Sequence, residues 1–180
     1  MPEFPPLETF GNRIMVCGPS NAGKSTLAVA MGRKLNLPVS HIDQFRHRHG
    51  TDWVQRPDAE FEALHDAAIL EERWVMDGNY SSLMPRRIAR ATGIILIGST
   101  RWASLWRYFR RTLFERDRPG ALGGGKDSIK WEMIHWILGP SPRNLARYRK
   151  ELPASGLPFT EIRSMPELNR LYAAWGLARK

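Results

Sequence analysis

The chain carries the stretch Gly18-Pro19-Ser20-Asn21-Ala22-Gly23-Lys24-Ser25-Thr26. Residues 18–25 match the pattern G-x-x-x-x-G-K-[S/T] at every fixed position. The segment Arg13–Cys17 before it, which is apolar from Ile14 onward, predicts a short buried strand, and Lys24–Leu35 predicts a helix. A glycine-rich loop between a strand and a helix N-terminus is a P-loop, which binds the phosphates of a nucleoside triphosphate.

Each fixed position of this motif has a chemical role. Gly18 and Gly23 let the loop wrap with its backbone N–H groups pointing inward, around a phosphate. Lys24 is expected to reach the β- and γ-phosphate oxygens, and Ser25 is expected to supply a hydroxyl ligand to Mg²⁺. We therefore predict that residues 18–26 bind a nucleoside triphosphate, taken as ATP, together with Mg²⁺.

The bulk composition narrows the class of protein. The 180 residues are ordinary for one domain, and 27 Lys and Arg against 18 Asp and Glu give a net charge of +9. Such an excess favours an anionic partner, which can be a nucleotide, a nucleic acid or a membrane surface. No apolar run is long enough to cross a bilayer, and the first residues lack the pattern of a secretory signal. With Cys17 as the single cysteine, a reducing compartment is expected, and we predict the cytoplasm.

Short apolar runs alternate with helical patterns along the rest of the chain. Further strands are predicted at residues 39–43, 74–76, 93–98 and 157–162. Further helices are predicted from residue 57 and at residues 82–90, 102–116, 128–138, 142–150 and 166–177. Residues 1–12 and 44–56 are predicted to be irregular, and residues 118–125 to be a mobile loop. This alternation predicts an α/β fold with a parallel sheet covered on both faces.

Two aspartates lie at the carboxyl ends of predicted strands, at the edge of the sheet where ligands bind in this type of fold. Asp43 is predicted to end the second strand, where it could accept a proton from an acceptor hydroxyl or orient the acceptor. It could instead cap a turn. Asp77 follows the third strand and could hold the water shell of Mg²⁺ as a Walker-B-like carboxylate, with Ser25 as the other metal residue, or form an Asx-turn with Gly78.

The helix that starts near Arg101 carries arginines just before the predicted mobile loop. Arg107, Arg110 and Arg111 are placed to neutralise charge on a transferring phosphoryl group, as in a lid that closes over a site. We predict catalytic roles for Arg107 and Arg111. The alternative is a solvated helix face.

Tryptophans and histidines are also prominent, and we give them no chemical role. The tryptophans are predicted to pack in the core or against the lid, with base stacking as the alternative. They are Trp102, Trp106, Trp131 and Trp136. His41, His47 and His49 lack the accompanying carboxylates or cysteines of a metal site, so a polar loop is expected there.

Several of these segments together resemble a known group of proteins. They are the P-loop, His41-Ile42-Asp43, Trp74-Val75-Met76-Asp77-Gly78-Asn79-Tyr80, and Arg101-Trp102 with Arg107. Over residues 13–177 the chain resembles the adenylate-kinase-like P-loop proteins, and most closely the FlaR-type DNA topology modulation proteins. The most distinctive part is Asp77-Gly78-Asn79-Tyr80 followed by Arg87 and Arg90.

This resemblance implies a single domain over residues 1–180 with a five-stranded parallel sheet in the order 2-3-1-4-5. An acceptor-binding region is implied at about residues 43–73 and a lid at about residues 111–127. Arg87 is implied to contact an acceptor phosphate or carboxylate, and Asn79 and Asp43 are assigned to the acceptor as well. Arg107 and Arg111 are implied to be arginines on the lid side.

The leading hypothesis is an ATP- and Mg²⁺-dependent kinase acting on an unidentified small-molecule or nucleotide acceptor. The alternative is a nucleic-acid-associated regulatory ATPase of the DNA topology modulation type, which the charge of +9 favours. Against this alternative, no helix-turn-helix or zinc finger is recognisable in the sequence. A kinase that phosphorylates a nucleic-acid end would combine the two.

Overall fold

A five-stranded parallel sheet forms the centre of the protein, in the order β2-β3-β1-β4-β5. The computed structural model describes residues 3–51, 53–114 and 129–178. The strands are β1 (Arg13–Cys17), β2 (Val39–His41), β3 (Trp74–Asp77), β4 (Gly93–Ile97) and β5 (Phe159–Ile162). The predicted α/β class and the predicted strand order are both confirmed.

Helices connect the strands and cover the sheet. They are α1 (Lys24–Leu35), α2 (Ile42–Arg46), α3 (Asp58–Leu70), α4 (Met84–Ile88), α5 (Arg101–Phe114), α6 (Trp131–Leu138), α7 (Pro140–Glu151) and α8 (Met165–Ala174). Short 3-10 helices lie at Leu7–Phe10 and Pro153–Ser155. Within the described residues, no helix combines the length and the apolarity needed to span a membrane.

Alternate residues of each central strand face two separate cores. Ile14 and Val16 pack into the core that α1 and α8 cover, whereas Met15 and Cys17 pack into the core that α3, α4 and α7 cover. Because both faces of the sheet are buried, the central strands β1, β3 and β4 are apolar apart from Arg13 and Asp77 at their ends, whereas the edge strands β2 and β5 also carry polar residues. The carboxyl ends of the strands therefore form an edge at which polar side chains can meet.

The end of β2 differs from the prediction. The strand stops at His41, and Asp43 lies in the short helix α2 instead of closing the strand. The chain turns there because Ile42 is fully buried in a small cluster with Phe61 and Leu83. The predicted loop at residues 44–56 is thus helical at its beginning.

The amino-terminal segment also differs from the prediction. Instead of being irregular, it forms the helix Leu7–Phe10 and contributes to the core. The Phe10 ring meets the Trp175 ring edge-on, with 5.6 Å between centroids. The Trp175 indole N–H also donates to the Pro5 carbonyl at 2.9 Å. These contacts hold the amino-terminal segment against Trp175, at the end of α8.

The four tryptophans lie outside the core, so the first of the two predicted places for them is wrong, and packing against the lid stays a prediction. Trp131 is 80% exposed and Trp106 68%, and Trp102 and Trp136 are exposed as well. The predicted mobile loop at residues 118–125, and most of the predicted lid, lie outside the described residues.

Candidate functional site

The P-loop joins β1 to α1, and its backbone requires glycine at both ends. Gly18 has a φ of +142°, and a Cβ there would lie 2.1 Å from the Ile97 carbonyl oxygen. Gly23 has a φ of +96° and directly precedes α1. Positive φ is costly for residues with a side chain. The glycines thus let the loop turn tightly against β4 and enter the helix.

Two cationic side chains contact this loop. The Lys24 ammonium donates to the Pro19 carbonyl at 2.8 Å. The Arg107 guanidinium donates to the Asn21 carbonyl at 2.6 Å and also to the Ser99 hydroxyl. Burial lowers the pKa of Arg107, but arginine keeps its proton in proteins. Both positive charges therefore lie where a phosphate chain would bind.

Asp77 ends β3 and is engaged through both of its carboxylate oxygens. Its Oδ2 accepts a hydrogen bond from the Ser25 hydroxyl at 2.5 Å, and its Oδ1 lies 2.5 Å from His41 Nδ1. Asp77 is only 4% exposed. The structure therefore brings together the two residues that were predicted to bind Mg²⁺.

The chemistry of this pair fits a magnesium ion. Mg²⁺ prefers oxygen ligands and commonly takes one or two from the protein, with the rest from phosphates and water. Ser25 supplies a hydroxyl oxygen and Asp77 a carboxylate oxygen, beside the phosphate-binding loop. Among the described residues, no group of three or more His, Cys, Asp or Glu could hold a metal by itself.

Asn79 connects the P-loop to the segment after β3. Its side-chain oxygen accepts from the Gly18 N–H, and its side-chain N–H donates to the Gly18 carbonyl. Asn79 was assigned to the acceptor, and it does line the cavity described below. Both polar atoms of its side-chain amide nevertheless bind the P-loop backbone, so Asn79 stabilises that loop.

Arg87 does not lie where an acceptor contact requires it. It is fully buried, and its guanidinium donates to the carbonyls of Gly78, Asn79 and Tyr80. Burial lowers its pKa, yet the group stays charged. The expectation that Arg87 contacts an acceptor anion is therefore replaced by a structural role: it holds the segment that carries Asn79 and Tyr80.

Asp43 forms a hydrogen-bonded pair with Tyr80. The Tyr80 hydroxyl donates to Asp43 Oδ1 at 2.8 Å, and its ring packs on Phe61 with 5.0 Å between centroids. Burial, reinforced by the charge of Asp43, raises the pKa of Tyr80, so the hydroxyl keeps its proton and remains a donor. Tyr80 has a φ of +44°, a rare conformation for a bulky residue, which Arg87 helps to hold.

One cavity of about 740 Å³ joins these groups. P-loop residues 20–26 line it together with Asp43, Asp77, Asn79 and Arg107. Its remaining wall includes aromatic and polar side chains, namely Trp53, Trp136, Tyr148, Gln55, Ser81 and Asn144. Most of the predicted nucleotide-binding residues are thus gathered around one space with Asp43 and Asn79, whereas Gly18, Pro19 and Arg87 are not among its lining residues. The Arg111 side chain lies outside the described part of the chain.

Sequence reasoning missed several groups of this site. His41 was considered only as a metal ligand, and Ser81 and Tyr148 were not considered at all. The Ser81 and Tyr148 hydroxyls are 2.6 Å apart, and Arg147 donates to Ser81 at 2.7 Å. Ser81 directly follows the distinctive segment at residues 77–80, and this position could have marked it as a site residue. Tyr148 lies 67 positions from Ser81 in the sequence, and no sequence pattern pointed to it.

Comparison with solved structures identifies the fold. No protein-family model and no curated protein sequence matches the chain. A gluconokinase from Sinorhizobium meliloti 1021 superimposes with a TM-score of 0.58 and 13% identity, over 93% of this chain and 91% of that one. A sugar kinase from Janibacter sp. HTCC2649 does so with a TM-score of 0.50 and 11% identity, over 92% and 95%.

The fold and the site define the class: this is a P-loop protein with the fold that these two kinases share. The likeness agrees with the resemblance to adenylate-kinase-like P-loop proteins. The closer resemblance to FlaR-type proteins stays a prediction.

Proposed function

We propose that the protein is an ATP- and Mg²⁺-dependent kinase that transfers the γ-phosphoryl group to a small-molecule acceptor. One observation carries the proposal: Asp43 and the Ser25–Asp77 pair line the same cavity as the P-loop. Donor and acceptor groups in one cavity are what phosphoryl transfer needs, because its catalysis rests on positioning and charge stabilisation. The shared fold of a gluconokinase and a sugar kinase adds support.

The donor half consists of the P-loop, Lys24, Arg107 and the Ser25–Asp77 pair. The loop amides and Lys24 bind the β- and γ-phosphates. Ser25 and Asp77 would hold Mg²⁺, which when bound would neutralise charge on those phosphates. Arg107, already at the Asn21 carbonyl, is close enough to stabilise the charge of the transferring group. Arg111, four positions further along, is proposed to act with it.

The acceptor half is built around Asp43. The hydroxyl oxygen of the acceptor attacks the γ-phosphorus, the bond to the β,γ-bridging oxygen breaks, and ADP leaves. The hydroxyl proton passes to Asp43, whose orientation the Tyr80 hydroxyl maintains. Aromatic walls at Trp53 and Trp136 suit a compact organic acceptor.

The test is a coupled ADP-release assay against a panel of acceptors, with the products examined by mass spectrometry. The panel contains gluconate, hexoses, small alcohols and nucleoside monophosphates. Lys24→Met serves as the control without a phosphate-binding ammonium. We expect one acceptor class to gain 80 Da, about the mass of a phosphoryl group, with the wild type only. A folded, ATP-binding protein that phosphorylates no acceptor in the panel would overturn the proposal.

The arrangement of charge does not favour the nucleic-acid alternative. Some of the arginines are engaged within the fold, although such pairs leave the net charge unchanged: Arg86 lies 2.8 Å from Asp66, and Arg149 lies 2.6 Å from Glu161. Arg87 is buried. ATP hydrolysis stimulated by DNA or RNA, without transfer to a small acceptor, is the result that would revive this alternative.

A further inference from the structure

His41 stands directly opposite Asp77 at the edge of the sheet. It is the last residue of β2, and the parallel register pairs it with Asp77, the last residue of β3. Neighbouring parallel strands place such residues side by side. The contact of 2.5 Å between His41 Nδ1 and Asp77 Oδ1 follows from this register.

The hydrogen bond has a defined direction. An ionised carboxylate can only accept, so His41 Nδ1 carries the proton and donates it to Asp77 Oδ1. Asp77 Oδ2 meanwhile accepts from the Ser25 hydroxyl. Two donors on different elements thus hold the carboxylate, and both the His41 and the Asp77 side chains are largely buried.

We propose that His41 is a positioning residue for the magnesium site. Its Nδ1–H holds Asp77 Oδ1, so that Oδ2 and the Ser25 hydroxyl stay together as oxygen ligands beside the P-loop. The proposal rests on the metal-nucleotide half of the proposed function and does not depend on the identity of the acceptor.

The physical reason is the strict geometry of Mg²⁺. The ion demands nearly octahedral ligands at short distances, so a carboxylate that can rotate binds it less well. Loss of a group that orients a metal ligand typically weakens metal binding by about 10- to 100-fold. A histidine that only joined two strands would affect the stability of the fold and leave the Mg²⁺ dependence unchanged.

The experiment measures ATP binding by calorimetry, in EDTA and across a Mg²⁺ titration. The variants are His41→Ala, which removes the donor, and His41→Asn, whose side-chain N–H can replace Nδ1–H. His49→Ala is the matched control, because His49 is exposed and lies outside the lining of the cavity. Thermal unfolding of each protein is recorded in parallel.

We expect His41→Ala to need about 10- to 100-fold more Mg²⁺ for tight ATP binding, with its affinity in EDTA unchanged. His41→Asn should recover most of this loss, and His49→Ala should match the wild type. Should His41→Ala not fold, the His41→Asn variant decides: an Mg²⁺ requirement near that of the wild type supports the proposal.

Three results would overturn it. They are an Mg²⁺ requirement of His41→Ala within twofold of the wild type, a folded His41→Asn with a requirement raised tenfold or more, and a wild type whose ATP binding ignores Mg²⁺. Failure of the proposed kinase function looks different. In that case the wild type binds Mg²⁺ and ATP normally, and the His41 effect persists, but no acceptor is phosphorylated.

Discussion

The side-chain amide of Asn79 makes two reciprocal hydrogen bonds with the backbone of Gly18. The Gly18 N–H donates to Asn79 Oδ1 at 3.0 Å, and Asn79 Nδ2 donates to the Gly18 carbonyl at 2.8 Å. Asn79 belongs to the segment that also carries Tyr80, the partner of Asp43. The start of the P-loop and the proposed acceptor side of the cavity are therefore both connected to one short segment of the chain.

Replacing Asn79 by Asp should weaken ATP binding and lower stability. The carboxylate can still accept from the Gly18 N–H, but it cannot donate to the buried Gly18 carbonyl, which is left unpaired. We expect a loss of about 1–3 kcal/mol in the free energy of unfolding, measured in urea. Asn12→Asp, at an exposed position, is the control. Unchanged stability and ATP affinity would show that the paired bonds contribute nothing.

Gly18→Ala should be far more damaging than an ordinary glycine substitution. Its methyl group would lie 2.1 Å from the Ile97 carbonyl oxygen, in addition to the cost of a positive φ. Gly156 also has a positive φ, +74°, but a methyl group there meets nothing within 4 Å. We expect about 1 kcal/mol of destabilisation from Gly156→Ala and about 3 kcal/mol or more from Gly18→Ala. Equal losses in thermal unfolding would contradict the close approach of the P-loop to β4.

Arg87→Met tests whether this arginine supports the site or contacts the acceptor. Methionine leaves the carbonyls of Gly78, Asn79 and Tyr80 without their donor, so we expect a loss of about 2–4 kcal/mol in the free energy of unfolding. ATP affinity and acceptor KM should both worsen. The matched control is Arg86→Met, at a half-exposed neighbour with surface ion pairs, and it should change little. A rise in acceptor KM alone, at unchanged stability, would restore the acceptor-contact interpretation.

The buried His65 should make the fold less stable as the pH falls from 7 to 5. Burial lowers the pKa of His65 below its ordinary 6.5, and the nearby charges of Arg87 and Arg86 lower it further. The hydrogen bond to Asp66 raises this pKa, but by less than burial lowers it. The unfolded chain therefore takes up the proton first, and stability is lost as the pH drops through about 6.5, levelling off below the pKa of the folded state. His65→Asn cannot titrate and should show a smaller slope in urea unfolding. A slope equal to that of the wild type would contradict this assignment.

The sequence predicts the sheet well because its signals are local. Apolar runs such as Arg13–Cys17 mark strands that are buried on both faces, and the P-loop pattern fixes the turn between β1 and α1. The strand order came from the family resemblance. The second strand was predicted to end at Asp43, whereas it ends at His41. The sequence of Val39–His41 and that of the next residues give no signal that separates strand from helix. Packing of Ile42 against α3 ends the strand there.

The sequence predicts those site residues whose role follows from a motif or from a position at the end of a strand. Lys24, Ser25 and Asp77 follow from their motif and their position at the strand ends. Arg87 has the chemistry of an anion ligand, and only the tertiary structure shows that its partners are carbonyl oxygens. The role proposed for His41 depends on the strand register, which no local pattern encodes.

The most direct test of the central claim separates ATP binding from phosphoryl transfer at Asp43. With the acceptor that the panel identifies, kcat and the ATP dissociation constant are measured for the wild type, Asp43→Asn and the control Asp58→Asn, whose carboxylate is exposed. We predict that Asp43→Asn lowers kcat by about 100-fold or more, while its ATP dissociation constant and the kcat of Asp58→Asn stay near wild type. Transfer by Asp43→Asn at close to the wild-type rate would contradict the account.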